Sequence, residues 1–360
     1  MWFRFRDLQA LIICAAALSL TGCSNLFGTS SYLDNALNTI RESALNSDQV
    51  NWSAVRKRCK ELSDGAENPA DFYPAINYAL AALGDHHSFL LSADGSPVRQ
   101  RHYSELGQGD KLPERAPQEV SPLITDEKLF STAEGNIGRV VVGEFVGNQN
   151  AAKAFATSIQ EQIKKISSPQ PIGWIVDLRG NGGGNMWPML AGIGPILGAG
   201  KIGYFGMRNG YTVPWFYENG AAGTVHGKNK KVSSRVDASI PDYPKETPVA
   251  VLIDRVTASS GEAVAVAFKG RRNTRFFGEN SAGLSTGNQP FKLSDGATIW
   301  LTTSVDLDRD KHMYFSGVSP DETILGSPKE DQVAQAAVAW ILTRIRTQAN
   351  DQRRPITPLH

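Results

Sequence analysis

Val249-Ala250-Val251-Leu252-Ile253 is followed by Thr257-Ala258-Ser259-Ser260-Gly261-Glu262 and then by the alanine-rich run 263–268. The apolar quintet reads as a buried strand, and the segment after the turn reads as a helix. Ser259 at that turn has two readings. A serine on a sharp strand-to-helix turn holds its hydroxyl clear of the sheet, as a nucleophile requires, with helix N–H groups ready to stabilise an oxyanion. Ser259-x-x-Glu262 ahead of an apolar run is also a capping box, in which the serine satisfies an orphan N–H.

Two further motifs bear on that choice. Asp177-Leu178-Arg179-Gly180-Asn181-Gly182-Gly183-Gly184 lies between an apolar run at 172–178 and a helix-like run at 185–197. Glycines at a strand end allow positive φ and close approach of a ligand to the backbone, and exposed N–H groups there suit a negative charge. A dinucleotide loop would need glycine at Asn185, and the Lys-Ser/Thr ending of a P-loop is missing, which disfavours nucleotide binding. A purely structural turn and an oxyanion-binding loop both remain. Leu83-Gly84-Asp85-His86-His87-Ser88 offers a histidine with a pKa suited to taking a serine proton. Adjacent histidines also suit metal ligation or a solvated helix end. Zinc is disfavoured because neighbouring side chains diverge and no H-E-x-x-H pattern occurs. No metal and no other cofactor is expected.

Working outward, strands alternate with helices: strand 139–142, helix 151–166, strand 172–178, strand 249–253 with its helix, and strand 275–278. A hairpin over 291–305 turns at Asp295-Gly296, and an amphipathic helix over 330–346 puts Val333, Ala337, Trp340 and Ile341 on one face. That alternation is the mark of an α/β core with partly parallel strands. Residues 31–90 have helical spacing and form a small N-terminal helical cap. Residues 91–136 are a connector with a polar surface loop, 137–347 the core domain and 348–360 a C-terminal tail.

The chain has 360 residues with 37 basic and 36 acidic side chains, scattered rather than clustered, so no nucleic-acid partner is expected. Arg4 and Arg6 precede a short apolar stretch ending in Leu20-Thr21-Gly22-Cys23, which looks like a bacterial lipobox. Residues 1–22 then read as a lipoprotein signal, Cys23 as the acylated residue and 23–30 as a tether. The lipid on Cys23 is the expected link to the membrane. Ser24 after the cysteine favours the outer membrane, facing the periplasm or the cell surface, where the host has two membranes. Cys59 is the one remaining thiol, which excludes an internal disulfide; it reads as a small buried apolar side chain.

Together, the Gly-Asp-x-His-Ser motif at 84–88, Asp-Leu-Arg-x-Asn-x-Gly-Gly at 177–184 and Ser-x-x-Glu at 259–262 resemble the serine peptidase family of C-terminal processing (tail-specific) proteases and the tricorn protease core. Gly278-Glu279-Asn280-Ser281-Ala282-Gly283 and Gly317-Val318-Ser319-Pro320-Asp321 match that family's later segments. The resemblance implies a ClpP/crotonase-like core of β-β-α units and a peptide or unfolded protein substrate. It maps the nucleophile to Ser259, the base to His87, and the oxyanion hole to the N–H groups of Ser260 and Gly183. The lysine of the Ser–Lys branch would fall at Leu284, so the likeness is to the tricorn-like Ser–His branch. Tyr314 stands at that branch's glutamate position, leaving Asp306, Asp308 and Asp310 as candidates to orient His87. The family's PDZ module is not expected. The implied function is a lipid-anchored cell-envelope serine peptidase; the alternative is a catalytically weak or inactive member that binds peptides or a protein partner.

Overall fold

A computed structural model describes residues 29–99, 128–326 and 330–352. The signal segment, Cys23, most of the tether and connector, and the last eight residues lie outside these.

The apolar quintet forms β9 (Val249–Ile253), a central strand of a six-stranded sheet. β4 (Gly173–Asp177) and β10 (Thr274–Gly278) flank it, both parallel to it. β3 (Asn136–Val141) lies parallel beyond β4, and β2 (Leu129–Ser131) closes that edge antiparallel. The short β13 (Glu322–Thr323) pairs parallel with β10 at the other edge. All five β9 residues are buried because helices cover both faces. Val249, Val251 and Ile253 point into a core shared with α4 (Gln149–Ile166), α5 (Met186–Leu197) and α6 (Ser260–Phe268). Ala250 and Leu252 point the opposite way, onto α7 (Gln332–Gln352) through Val333, Ala337 and Ile341. A continuous apolar run was therefore the right signature for this strand.

A second, seven-stranded sheet covers the far side of α5 and α6. Its antiparallel meander, β5 (Gly200–Met207), β6 (Thr212–Glu218), β7 (Ala221–His226) and β8 (Asn229–Arg235), is absent from the sequence reading. The turn signals are there to be read: Asn219 and Gly220 take φ of 46° and 77°, the positive pair that an Asn-Gly hairpin turn demands. β5 pairs with β12 (Thr298–Leu307), which also holds β1 (Phe89–Leu91) and β11 (Thr286–Lys292). The β11–β12 hairpin turns at Asp295-Gly296 as expected, with Leu293 N–H on the Ala297 carbonyl at 2.8 Å.

The helical cap comprises α1 (Thr29–Ser43), α2 (Trp52–Leu62) and α3 (Tyr73–Ala81). Leu37, Ile40, Ile76 and Leu80 pack onto Leu90, Ile299 and Leu301 of the second sheet, each fully buried Leu or Ile contributing about 1.5–3 kcal/mol. Cys59 is wholly buried in this cluster, and burial pushes its thiol up to about 12. Arg208, from the β5–β6 turn, pins the cap by donating to the Arg41, Glu42 and Ala44 carbonyls at 3.1–3.3 Å. Those are orphan acceptors at the C-terminus of α1.

Candidate active site

The glycine loop leaves β4 at a buried ionic anchor. Asp177 accepts from Arg139 Nε at 3.1 Å and from Arg179 Nε at 2.9 Å. Arg179 then reaches Asp331, just ahead of α7, with two bonds of 2.8 and 2.9 Å. All four side chains are buried; such charges hold only when paired and hydrogen-bonded. Beyond this anchor, Asn181 fixes the loop. Its Nδ2 donates to the Val142 carbonyl at 2.9 Å, and its own carbonyl accepts the Ala258 N–H at 2.9 Å. Ser260 Oγ donates to the Gly184 carbonyl at 2.7 Å. The loop and the β9–α6 turn are thus stitched together from both sides.

Gly183 shows why glycine is needed there. It has φ of 110°, and a Cβ on it would lie 2.8 Å from the Ser259 Cβ. The backbone of the loop therefore runs directly against the candidate nucleophile. Its N–H, however, donates to Asn181 Oδ1 at 3.0 Å. The second expected donor, Ser260 N–H, belongs to the first residue of α6, which has no carbonyl partner within the helix.

Ser259 sits at the N-cap of α6 with φ 51° and ψ −116°, a conformation that costs a non-glycine residue roughly 1–3 kcal/mol. Of the reciprocal capping pair, the Ser259 N–H donates to Glu262 Oε2 at 2.9 Å. The opposite contact, from the Glu262 N–H towards the Ser259 hydroxyl, falls short of hydrogen-bond geometry. Glu262 is fully buried and also accepts the Gly283 N–H at 2.9 Å, the Leu284 N–H at 2.8 Å and the Ser281 hydroxyl at 2.5 Å. Burial raises its carboxyl above the ordinary range, and those donors pull the other way.

His87 is presented by an aspartate-closed turn. Asp85 Oδ1 accepts the N–H groups of His87 and Ser88 at 3.0 and 2.8 Å, and Oδ2 accepts the Ser88 hydroxyl at 2.7 Å. Asn288 Nδ2 donates to the His87 carbonyl at 2.8 Å. The ring is half-buried; burial pulls its pKa below the usual histidine value, and Asp85 partly opposes that. Its Nδ1 lies 2.7 Å from Thr286 Oγ1. When Nδ1–H donates to that hydroxyl, Nε2 is the free basic nitrogen. Thr286 stands two residues after Leu284, whose N–H rests on Glu262. The same short segment therefore joins the histidine turn to the serine turn. His86, by contrast, is exposed.

The bond at His87 Nδ1 goes to Thr286 rather than to any of the three aspartates expected in that role. Asp308 is used up in its own turn, accepting from the Asp310 and His312 N–H groups, His312 Nδ1 and the Tyr314 hydroxyl. Asp310 is exposed beside Gly270. Asp306 is buried, and neither carboxyl oxygen has a hydrogen-bond partner among the described residues. Burial, with the Glu262 charge beside it, holds Asp306 well above the usual carboxylate range. Glu262 has four donors and Asp306 none, so a single negative charge on the pair resides on Glu262. Asp308, Asp310 and His312 have ligand atoms within 4.8 Å of one another, but Asp308 and His312 already bond each other. Thr286, Asn181 and the multiple roles of Glu262 escaped the sequence reading. Asn181 and Glu262 lay inside quoted motifs, Asn181 as a loop residue and Glu262 as part of a cap, whereas Thr286 lay in none.

Comparison with known proteins places the chain in a family. Peptidase family S41 matches residues 136–324, a span that contains the glycine loop, the serine turn and Glu262. The nisin-resistance protein of Lactococcus lactis is 28% identical over 88% of this chain and 87% of its own length. The carboxy-terminal processing protease CtpA of Bacillus subtilis is 28% identical over 52% of this chain, which spans only 34% of that relative. Among solved structures, a lipoprotein from Streptococcus agalactiae superposes with a TM-score of 0.64 at 21% identity, covering 90% of this chain and all of that one. The photosystem II D1 C-terminal processing protease gives 0.54 at 18% identity, covering 84% of this chain and 94% of that one. These likenesses carry the fold, and the match across more than half of the sequence carries the family: the chain belongs to peptidase family S41.

Proposed function

We propose that the protein is a lipid-anchored serine peptidase of the cell envelope. Ser259 Oγ attacks a peptide carbonyl while His87 Nε2 takes its proton; the amine then leaves with that proton, and water hydrolyses the acyl-serine by the same route. Thr286 holds the imidazole through Nδ1. Ser260 N–H and the glycine loop receive the developing O⁻, each donor being worth roughly 2.7–4 kcal/mol in comparable sites. Gly183 N–H serves in that role once it exchanges Asn181 for the substrate oxygen. The observation that carries the reading is Ser259 itself, held at positive φ against Gly183 while Glu262 bonds its N–H.

The lipobox supports attachment through Cys23, and no helix among the described residues is long and apolar enough to cross a membrane. The near-full-length match to a nisin-resistance protein makes nisin a first candidate ligand to try at this site. A second reading, peptide binding without turnover, draws on two observations: Gly183 N–H is occupied by Asn181, and among the described residues His87 Nδ1 meets the Thr286 hydroxyl and no carboxylate. Digestion of a fluorogenic peptide library separates the two. The peptidase reading expects cleavage by the wild type and none by Ser259→Ala; binding of peptides with no cleavage by either overturns it.

A further inference from the structure

The C-terminal ends of α5 and α6 meet at a recess of about 170 Å³ whose wall includes Lys245, Arg271, Arg272 and Arg309 but no carboxylate. Helix C-termini gather unpaired carbonyls and negative dipole ends, which draw cationic side chains. That accounts for part of the arrangement. Arg271 Nε donates to the Ile196 carbonyl at 3.1 Å, and its Nη1 to the Thr247 and Arg272 carbonyls at 3.1 and 2.9 Å. Arg309 Nε donates to the Ala267 carbonyl at 3.2 Å, and its Nη2 to the Leu197 carbonyl at 3.1 Å.

Capping leaves one terminal nitrogen of each guanidinium over. Among the described residues, Arg271 Nη2 and Arg309 Nη1 bond nothing, and neither arginine forms an ion pair. Arg271 is only 8% exposed; burial and the neighbouring Arg309 lower its pKa to about 10. Charges left without a counter-ion in such a site are expensive. The acids nearby are otherwise placed. Glu246 lies 3.8 Å from Arg272 at the surface, Asp242 accepts the Ala199 N–H, and Asp310 sits beside Gly270 without reaching ion-pair distance of Arg309.

We propose that this recess binds a phosphate group. The two spare guanidinium nitrogens form the floor, and Lys245 and Arg272 close the mouth. Guanidinium forks match phosphate oxygens in geometry, and a lysine adds a point charge. Glu246 and Asp310 act on Arg271 and Arg309 only through space, and a bound oxyanion adds the direct counter-charge that the spare nitrogens lack. The recess lies at the far end of α6 from Ser259, about 13 Å along a nine-residue helix at 1.5 Å per residue, so it is separate from the candidate active site. The same chemistry is presented by free phosphate and by a lipid phosphate headgroup.

Titration calorimetry on the full-length protein in detergent tests the site, with inorganic phosphate against chloride at matched ionic strength. The expected result is saturable phosphate binding that weakens at least tenfold in the exposed double variant Lys245→Gln/Arg272→Gln, its fold verified by circular dichroism. Arg309→Lys, which keeps the charge and removes the fork, should also weaken it. Phosphate heats no larger than those of chloride, or binding unchanged in both variants, overturn the proposal. Dihexanoylphosphatidate below its micelle concentration then identifies the source: tighter binding than phosphate assigns the lipid headgroup, equal binding assigns the free anion, and either ranking supports the site.

Discussion

The N-termini of α4 and α6 begin with the same local problem and solve it differently. At α4, Asn148 has extended φ/ψ, and its side chain accepts the Ala151 N–H at 3.0 Å, the ordinary way to satisfy an orphan donor. At α6, Ser259 has a residue type suited to the same task, yet its hydroxyl makes no cap bond and its φ is positive. The Glu262 carboxylate, whose other partners lie beyond β10 in sequence, bonds the Ser259 N–H instead. One cap is used for stability. The other has been freed from that duty, and the backbone strain it carries is offset by a buried network.

The largest expected departure follows directly. Ser259→Ala should lower kcat/KM by about 10⁴-fold or more, while stability measured by urea unfolding stays within about 0.5 kcal/mol, because no cap bond is lost. Asp331→Ala strikes the anchor under the glycine loop. It leaves two buried arginines sharing Asp177 and should cost about 3–5 kcal/mol in the same unfolding assay. Thr286→Val should reduce kcat/KM roughly tenfold, with recovery in Thr286→Ser, by loosening the imidazole rather than removing it. In the wild type, kcat/KM should rise with pH through a histidine pKa below the ordinary 6.5 or so, reaching a plateau by neutrality, because burial favours the neutral base. Asn148→Ala is the counterpart at the ordinary cap: about 1 kcal/mol of stability lost and activity unchanged.

The smallest effect near pH 4 belongs to Asp306→Asn. The folded pKa of Asp306 is raised, so the unfolded chain releases this proton first, and stability falls as pH climbs from about 4 towards the folded value. Thermal midpoints of the wild type and the Asn variant should nearly coincide in acid, the variant gaining as pH rises. A constant gap across pH would mean that Asp306 does not carry this linkage.

Local patterns were readable wherever the chemistry was local. Five apolar residues gave β9, the glycines gave the loop after β4, and Ser259-x-x-Glu262 gave the start of α6. The meander β5–β8 went unread although Asn209-Gly210 and Asn219-Gly220 punctuate it, because attention to strand–helix alternation obscures an antiparallel stretch. Thr286 was invisible for a different reason. A threonine opening an edge strand has no local mark of its role; only the pairing of β11 with β12 and the docking of the helical cap bring it to His87, 199 positions away. The aspartates failed by the converse error: proximity in sequence to the expected position stood in for reach, and Asp308 proved to be closing its own turn.

The central claim is that Ser259 is a nucleophile activated by His87. Its most direct test is a time course of fluorophosphonate labelling on the full-length protein, with the modified residue located by peptide mass spectrometry. The account predicts one adduct, on Ser259, forming at a rate that falls at least a hundredfold in His87→Ala and is undetectable in Ser259→Ala. Absence of labelling in the folded wild type, or an unchanged rate in His87→Ala, would contradict it.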